Sequence, residues 1–253
     1  MMDLLEVRGL SKSFGGVRAV DNVSFAVDTG IYSVIGPNGA GKTTLFNLIT
    51  GLYSPSEGSV CVGGVDIVGT APHAMARLGI ARTFQNLQIC MNMSALENVM
   101  VGAHLRLNRN IIWSHLRLPG LRRRDRELRH EAAEMMRFVG LGDYVDAAAS
   151  ALPYGALKRL EIARALAVKP RIVFLDEPAA GLNPTETLKI DEQIRKVADS
   201  GVTVVLVEHD MKMVMNLSDR ILVLDSGKKL AEGTAQEVRS SREVIAAYLG
   251  TRS

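Results

Sequence analysis

The sequence predicts an α/β fold in which a parallel β-sheet is covered by helices on both faces. Continuous apolar runs such as 172–175 and 202–207 alternate with helical patterns, which is typical of buried parallel strands. A strand over 31–35 passes into a glycine-rich loop and then into an amphipathic segment, 42–50. From 94 to about 139 the pattern is helical, so an α-helical insertion interrupts this framework.

Short β-type runs dominate the first part of the chain and are separated by glycine-containing turns. The strands predicted before the insertion are 4–7, 23–27, 31–35, 60–65 and 80–84. The helical insertion has a clear start, because Ser94 and Glu97 have the spacing of a capping box. After Leu96, apolar residues recur at a spacing of three to four, as one face of a helix requires.

The α/β alternation resumes after the insertion. Its predicted elements are a helix at 156–167, a strand at 172–175, a helix after residue 183, a strand at 202–207, a hairpin of 220–224 with 228–231, and a helix at 242–249. Asn183, Pro184 and Glu186 have the order of an N-cap, a first-turn proline and a capping-box glutamate. The start of that helix is therefore well specified.

Charge and hydropathy limit the possible functions. Thirty Lys and Arg against 27 Asp and Glu leave a net charge of +3, too weak a bias to indicate a nucleic-acid-binding protein. No uncharged apolar run approaches the ~18–20 residues of a spanning helix, and the first residues do not resemble a secretory signal. We therefore expect a chain that is neither secreted nor membrane-spanning, although it can lie against a membrane.

Residues 36–43 match the pattern GxxxxGK[ST] at every fixed position, between a predicted strand and a predicted helix. Glycines let successive N–H groups, from about Asn38 to Thr44, point at a phosphate beside a helix N-terminus. The pattern assigns Lys42 to the β- and γ-phosphates and the Thr43 hydroxyl to Mg²⁺. The sequence therefore predicts a nucleotide phosphate site.

Two acids, Asp176 and Glu177, follow the run 172–175, where doubly wound sheets place their ligands. Asp176 is spaced to hold Mg²⁺ through water, and Glu177 is then free to orient or deprotonate the attacking water. The alternative is a pair of exposed strand-end acids without a function. The glycine-rich loop elsewhere in the chain favours the functional interpretation.

Two further polar residues follow predicted strands. His209 comes after the run 202–207 and is expected at the same sheet edge, with a structural histidine as the alternative. Gln85 follows the run 80–84 and can contact Mg²⁺ or the γ-phosphate, with a polar turn residue as the alternative. His209 is therefore expected at the edge where Asp176 and Glu177 stand.

The order of these features resembles the ATP-binding-cassette (ABC) family, whose ATPase subunits power membrane transporters. The resemblance covers almost the whole chain. The matching residues are a Walker A motif at Gly36, Pro37, Asn38, Gly39, Ala40, Gly41, Lys42, Thr43 and Thr44, the Q-loop Gln85, a divergent signature at Pro153, Tyr154, Gly155 and Ala156, a Walker B motif ending in Asp176 and Glu177, the D-loop Asn183 and the switch histidine His209.

The resemblance implies a P-loop NTPase core with an N-terminal antiparallel β subdomain and an inserted α-helical subdomain. It implies one domain over 1–253, with 1–92 and 165–253 as the core and about 93–164 as the helical part. It assigns catalysis to Glu177, His209 and Gln85, and Mg²⁺ to Thr43, Gln85 and Asp176. By the same resemblance Phe14, 22 residues before the Walker A glycine, stacks on adenine, the alternative being a core or loop phenylalanine.

The resemblance also implies ATP and Mg²⁺ as cofactors, and a head-to-tail pair of cassettes on transmembrane permease subunits. Each ATP then lies between one P-loop and the signature of the second ATPase subunit. Signatures usually have serine where Pro153 stands and glutamine where Ala156 stands. Proline lacks the hydroxyl and the N–H, which favours a paralogue as the second subunit, whereas Gly155 and the helix start keep backbone donors.

Several stretches are similar to the larger ATPase of branched-chain amino-acid transporters. They are 82–86, Tyr154-Gly155, 159–164, 177–183 and 231–234. This similarity implies solute uptake, an indirect partnership with a periplasmic solute-binding protein, and a peripheral position on the cytoplasmic face of the inner membrane. Alternatives are the ATPase of a lipid or lipopolysaccharide exporter, or a soluble cassette acting on nucleic acid or ribosomes. Soluble cassettes generally carry two cassettes or a long coiled-coil insert, so no nucleic-acid partner is expected.

Overall fold

The computed structural model of the protein describes residues 4–103 and 119–249. The strands there are β1 (Leu5–Phe14), β2 (Val17–Val27), β3 (Ile31–Ile35), β4 (Glu57–Val62), β5 (Val65–Asp66), β6 (Ile80–Arg82), β7 (Ile172–Asp176), β8 (Thr203–Val207), β9 (Arg220–Asp225) and β10 (Lys228–Gly233). They form a six-stranded sheet of order β10-β9-β3-β8-β7-β6 and a four-stranded sheet of order β2-β1-β4-β5. The predicted α/β class and the antiparallel N-terminal sheet are confirmed.

The large sheet is parallel from β9 to β6, and β10 joins its edge as an antiparallel hairpin strand. Every residue of β3, β7 and β8 is buried, as expected for strands covered on both faces. Alternate residues of β7 enter different cores. Val173 and Leu175 pack with the helical layer, and Ile172 and Phe174 pack towards the antiparallel sheet.

Two strands are longer than the sequence predicts. β1 continues from residue 7 to Phe14, and β2 begins six residues before Val23. The hydrophobic alternation is lost there because irregular pairing between Val7 and Leu10 shifts the side-chain register, with Gly9 at a φ of +56°. The predicted strand 60–65 is instead β4 and β5, joined through two glycines.

The described helices are α1 (Lys42–Ile49), α2 (Pro72–Met75), α3 (Ala95–Ala103), α4 (Pro119–Phe138), α5 (Tyr154–Leu166), α6 (Pro184–Asp199), α7 (Met211–Leu217), α8 (Ala235–Ser240) and α9 (Arg242–Leu249). Short 3₁₀ turns lie at Ala76–Leu78, Gly142–Tyr144 and Ala149–Ala151. Both predicted capping boxes are present, at Ser94 with Glu97 and at Asn183 with Glu186. Residues 104–118 of the predicted helical stretch lie outside the described residues.

Helices α3, α4 and α5 pack against one another and share the core cluster under one face of the large sheet. On the opposite face lie α1 and the antiparallel sheet. Among the residues that the structure describes, no helix has the length and hydropathy to cross a bilayer. Since β3, β6, β7 and β8 run in one direction, their carboxyl ends meet at one edge, where the predicted site residues follow.

Candidate functional site

The glycine-rich loop joins the end of β3 to the start of α1. Gly36 and Gly41 have φ values of +154° and +97°, which side-chain-bearing residues rarely adopt. A Cβ on Gly36 would collide with the Leu224 carbonyl, and one on Gly41 would lie 2.5 Å from the Ala19 carbonyl oxygen. The loop bounds a cavity of about 240 Å³ lined by Ala19, Asn38, Gly39, Ala40, Gly41, Lys42, Thr43, Thr44 and Glu177. This cavity has the position and the lining of a phosphate site.

Lys42 is folded against its own loop. Its Nζ donates hydrogen bonds to the carbonyl oxygens of Gly36, at 2.7 Å, and Pro37, at 3.0 Å. Burial lowers the pKa of Lys42 from its ordinary value, and the charges of Glu177 and Asp176 act in the opposite direction. The ammonium group is thus held at the cavity by neutral carbonyls, whose bonds a phosphate oxygen can replace.

Asp176 is the last residue of β7 and is buried, and its Oδ2 accepts a 2.8 Å hydrogen bond from Arg82. Glu177 comes next with a φ of +48°, which is uncommon for a residue with a side chain. Its N–H donates to the Val207 carbonyl at 2.9 Å, and its own carbonyl accepts from Ala180 N at 3.1 Å. Neighbouring backbone therefore holds the left-handed conformation that places Glu177 at the cavity.

The predicted catalytic residues converge on one carboxylate oxygen. Gln85 Nε2 donates to Glu177 Oε2 at 3.4 Å, and His209 Nδ1 lies 3.9 Å from the same oxygen. These residues follow β6, β7 and β8, so their proximity results from the shared edge of three adjacent parallel strands. His209 is exposed, with 63% of its side-chain surface accessible, whereas Glu177 is mostly enclosed.

The residues at the cavity provide oxygen donors of the type that Mg²⁺ prefers. Thr43 is exposed and lines the cavity, and Asp176 stands one residue before Glu177 at the end of β7. Across residues 4–103 and 119–249 there is no group of three His, Cys, Asp or Glu side chains that could hold a metal alone. Mg²⁺ usually takes one or two carboxylates from a protein and its remaining ligands from phosphates and water.

The predicted signature and D-loop residues lie together. Pro153 caps α5, and the Tyr154 hydroxyl donates a weak 3.5 Å hydrogen bond to the Ala180 carbonyl. Asn183 caps α6, and its side chain accepts from Glu186 N at 2.9 Å. Gly155 and Ala156 are buried at the start of α5. In the described structure Pro153–Ala156 and Asn183 are absent from the lining of the P-loop cavity of their own chain.

Phe14 ends β1 with 44% of its surface exposed. The Tyr53 ring meets it edge to face at 5.3 Å, and Lys12 Nζ lies 5.3 Å from the ring centre. Phe14 does not line the 240 Å³ cavity within the described residues. The hairpin of β1 and β2 nevertheless reaches the P-loop, because Ala19 lines the cavity and its carbonyl faces Gly41.

Sequence reasoning missed three charged side chains that are enclosed around the site, those of Arg82, Lys158 and Glu208. Lys158 Nζ lies 3.5 Å from the carbonyl oxygens of both Gln85 and Glu177. The sequence carries a signal for two of them, because Arg82 and Glu208 are charges next to buried strand ends. Lys158 stands beside Arg159 and close to Glu161, so its local sequence does not mark it as buried.

A second cavity, of about 280 Å³, lies beside the end of β6. Its lining includes Arg82 together with the exposed apolar residues Leu52, Phe84 and Val101. In the neighbouring stretch 86–93, Met91 and Met93 are also exposed. An apolar groove thus lies near the Q-loop, on the side where α3 and α5 approach the sheet.

Comparisons with known proteins identify the family of the chain. The profile of the ABC transporter family matches residues 20–180, and that of the branched-chain amino acid ATP-binding cassette transporter matches residues 228–253. The chain is 46% identical to the high-affinity branched-chain amino acid transport ATP-binding protein BraF of Pseudomonas aeruginosa, and 43% identical to LivG of Escherichia coli K12. Both matches span 249 residues and cover 98% of each chain.

Solved structures give the same result. A nucleotide-free ATP-binding cassette from an ABC transporter is 31% identical with a TM-score of 0.85, covering 98% of this chain and 100% of that one. The structure of the ADP conformation of MJ1267, an ATP-binding cassette of an ABC transporter, has 31% identity and a TM-score of 0.86, covering 99% and 100%. The dimeric structure of a bacterial cassette has 26% identity and a TM-score of 0.77, covering 91% and 98%. The chain therefore belongs to the ABC transporter family, of which it is an ATP-binding cassette.

Proposed function

We propose that this cassette hydrolyses ATP to drive the uptake of branched-chain amino acids through a membrane permease. The observation that supports hydrolysis best is the position of Glu177, which lines the P-loop cavity and is within reach of Gln85 and His209. The names of the BraF and LivG relatives, which match over nearly the full length of the chain, support the solute class.

In this proposal the loop residues Gly36–Thr44 bind the phosphates, and Lys42 exchanges its carbonyl partners for phosphate oxygens. Thr43, Asp176 and Gln85 would hold Mg²⁺, which neutralises charge on the phosphates when it is bound. Glu177 accepts a proton from the attacking water. His209 and Gln85 orient that water on the γ-phosphate side of the site.

The signature completes the site of a second cassette. Tyr154 is exposed at the start of α5, where backbone N–H groups and the helix dipole favour an anion. The dimeric structure of a related cassette supports this arrangement. Since Pro153 has no N–H or hydroxyl to offer, we infer that the second subunit is a paralogue whose own signature serves the P-loop described here.

The groove beside β6 is the proposed contact with the permease. Leu52, Phe84 and Val101 expose apolar surface there, which suits a short amphipathic helix from a membrane partner. We infer a peripheral position on the cytoplasmic face of the inner membrane, with a periplasmic solute-binding protein acting through the permease. The near-neutral charge supports the absence of a nucleic-acid partner.

Transport in proteoliposomes tests the proposal. The chain would be purified with the permease and second ATPase that accompany it, and reconstituted with the binding protein and internal ATP. We expect uptake of radiolabelled leucine that requires ATP and is lost in Glu177→Gln. ATP-dependent movement of lipid without amino-acid uptake would favour an exporter, and copurification with nucleic acid but no permease would favour a soluble cassette.

A further inference from the structure

Glu208 is a buried carboxylate between two loops of the catalytic site. It lies between β8 and His209, and only 1% of its surface is accessible. Its Oε1 accepts a 2.9 Å hydrogen bond from Ala179 N, and its Oε2 accepts a 3.1 Å hydrogen bond from His209 N. One side chain thus connects the loop after β7 with the loop after β8.

Burying a carboxylate costs desolvation free energy, which hydrogen bonds to the carboxylate must offset. Burial raises the pKa of Glu208, while hydrogen bonds from the backbone of Ala179, His209 and Asp210 act in the opposite direction. An apolar residue could fill the same space without that cost. The backbone amides of Ala179 and His209, which the carboxylate joins, both belong to loops of the site. The position of Glu208 therefore affects the geometry of the site and not only the packing of the core.

The imidazole of His209 stands between two carboxylates. Its Nδ1 lies 3.8 Å from Glu208 Oε2 and 3.9 Å from Glu177 Oε2. Because His209 is largely exposed, packing restricts its ring little. The hydrogen bond from its backbone N–H to Glu208 Oε2 ties the residue to its neighbour. Glu208 is the buried, fixed member of this set.

The loop after β7 extends the connection. Ala179 N is bound to Glu208, and the next residue, Ala180, accepts a hydrogen bond from the Tyr154 hydroxyl. Tyr154 belongs to the predicted signature. A contiguous set of contacts therefore runs from His209 through Glu208 to the segment that would face the second cassette.

We propose that Glu208 is a positioning residue for ATP hydrolysis, which holds His209 in place beside Glu177 and anchors the loop at Ala179. This inference rests on the role proposed above for His209. A glutamine at position 208 has one acceptor oxygen, and its NH₂ group would face the second backbone N–H. Glu208→Gln therefore removes either the bond to Ala179 N or the bond to His209 N while nearly preserving the shape of the side chain.

A double-mutant cycle tests the proposal. Single-turnover hydrolysis, with enzyme in excess and long time courses, would be measured for wild type, Glu208→Gln, His209→Ala and the double variant. We expect Glu208→Gln to slow hydrolysis about 10- to 100-fold in the wild-type background, as loss of a supporting partner does at other sites. In the His209→Ala background we expect less than about a twofold further change. ATP affinity should stay within about twofold of wild type.

Each failure has a distinct meaning. Equal slowing in both backgrounds, or none in the wild-type background, would overturn the positioning role of Glu208. An active His209→Ala enzyme would instead overturn the proposed role of His209. Asp219→Asn is the matched control, because the Asp219 carboxylate also accepts a backbone bond, from Ile31 N at 2.7 Å, but at the opposite end of β3.

Hydrogen exchange provides a readout independent of activity. Peptides covering 177–182 should exchange faster in Glu208→Gln than in wild type, and Asp219→Asn should not change them. If Glu208→Gln does not fold, Glu208→Asp keeps the charge on a shorter side chain and enters the same cycle. Unchanged exchange at 177–182 in a folded Glu208 variant would contradict the anchoring of this loop.

Discussion

The guanidinium of Arg82 donates a 2.8 Å hydrogen bond to Asp176, and both side chains are more than nine-tenths buried. Arg82 Nη1 also donates to the Thr50 hydroxyl at 2.7 Å, and the guanidinium lies near the rings of Phe46 and Phe84. This pair connects β6 to β7 directly below the edge where Glu177 stands. It also connects the apolar groove to the acid proposed for Mg²⁺, because Arg82 lines that groove.

The buried pair predicts a large loss of stability in Arg82→Met. Removing Arg82 leaves the Asp176 carboxylate buried without its hydrogen-bonded ion-pair partner, which costs about 3–5 kcal/mol. Urea unfolding, monitored by circular dichroism, would measure the free energy of unfolding of each variant. Arg8→Met is the control, since Arg8 pairs with Glu6 at 2.6 Å on the surface and little change is expected there. Equal losses in both variants would contradict the special role of burial.

The position of Glu177 predicts that Glu177→Gln binds ATP normally and loses nearly all turnover. Glutamine preserves the size of the side chain and its contact with Gln85, but cannot accept a proton from water. The binding of a fluorescent ATP analogue would measure nucleotide affinity, and phosphate release would measure turnover. Glu243→Gln, an exposed acid on α9, should leave both unchanged. Undiminished turnover in Glu177→Gln would remove this residue from the role of base.

The exposed ring of Phe14 predicts a loss of nucleotide affinity in Phe14→Ala. Stacking of a base on an aromatic side chain contributes about 1–3 kcal/mol, so ATP should bind more weakly by that amount. Phe14→Tyr keeps the π-face and should bind ATP as wild type does. Val17→Ala, at an exposed position of the same hairpin, is the control for nonspecific damage. Equal affinity of Phe14→Ala and wild type for ATP would place the base elsewhere.

The parts of the site that the sequence predicts best are those defined by local pattern. The P-loop, the acids after β7 and the capping box at Asn183 each depend on neighbours in the chain and on the ends of elements. Once the strands are parallel and adjacent, Gln85 and His209 must approach Glu177. The order and direction of the strands therefore suffice to predict that these residues converge, although they do not give the distances between the side chains.

The parts that sequence reasoning missed depend on partners distant in the chain. Arg82 and Asp176 are 94 positions apart, and Glu208 binds Ala179 across 29 positions. Composition gives no reason to pair these residues, and a charged residue at a strand end is usually solvated. The extension of β1 was missed for a different reason, because irregular pairing near Gly9 disrupts the alternation that marks a strand.

The capping box predicts separate effects of two substitutions at Asn183. Asn183→Ala removes the acceptor for Glu186 N and should destabilise the protein by about 1 kcal/mol. Asn183→Asp keeps an equally good cap, so its unfolding free energy should match that of wild type. Urea unfolding measures both, and a matching loss in the two variants would contradict the capping role. If Asn183→Asp is stable but hydrolyses ATP slowly, the side chain has a further role at the second cassette.

The charge of Asp191 predicts a specific dependence of stability on pH. Burial first, and then the charges of Asp210, Glu208 and Glu192, raise the pKa of Asp191 from 3.8 to about 6. Its Oδ1 is buried and has no hydrogen-bond partner within the described structure. Between about pH 4 and pH 6 the folded protein binds the extra proton, so the contribution of this group to stability falls as the pH rises through that window.

Asp191→Asn removes the charge and should therefore raise Tm relative to wild type at pH 7.5 by more than at pH 5. At pH 7.5 the wild-type carboxylate is ionised against three neighbouring acids, whereas near pH 4 it is largely protonated and resembles the amide. Differential scanning fluorimetry across this range measures the difference. Asp199→Asn, which changes an exposed acid at the end of the same helix, is the control measured in parallel. A constant Tm difference between Asp191→Asn and wild type would show that Asp191 does not titrate in this window.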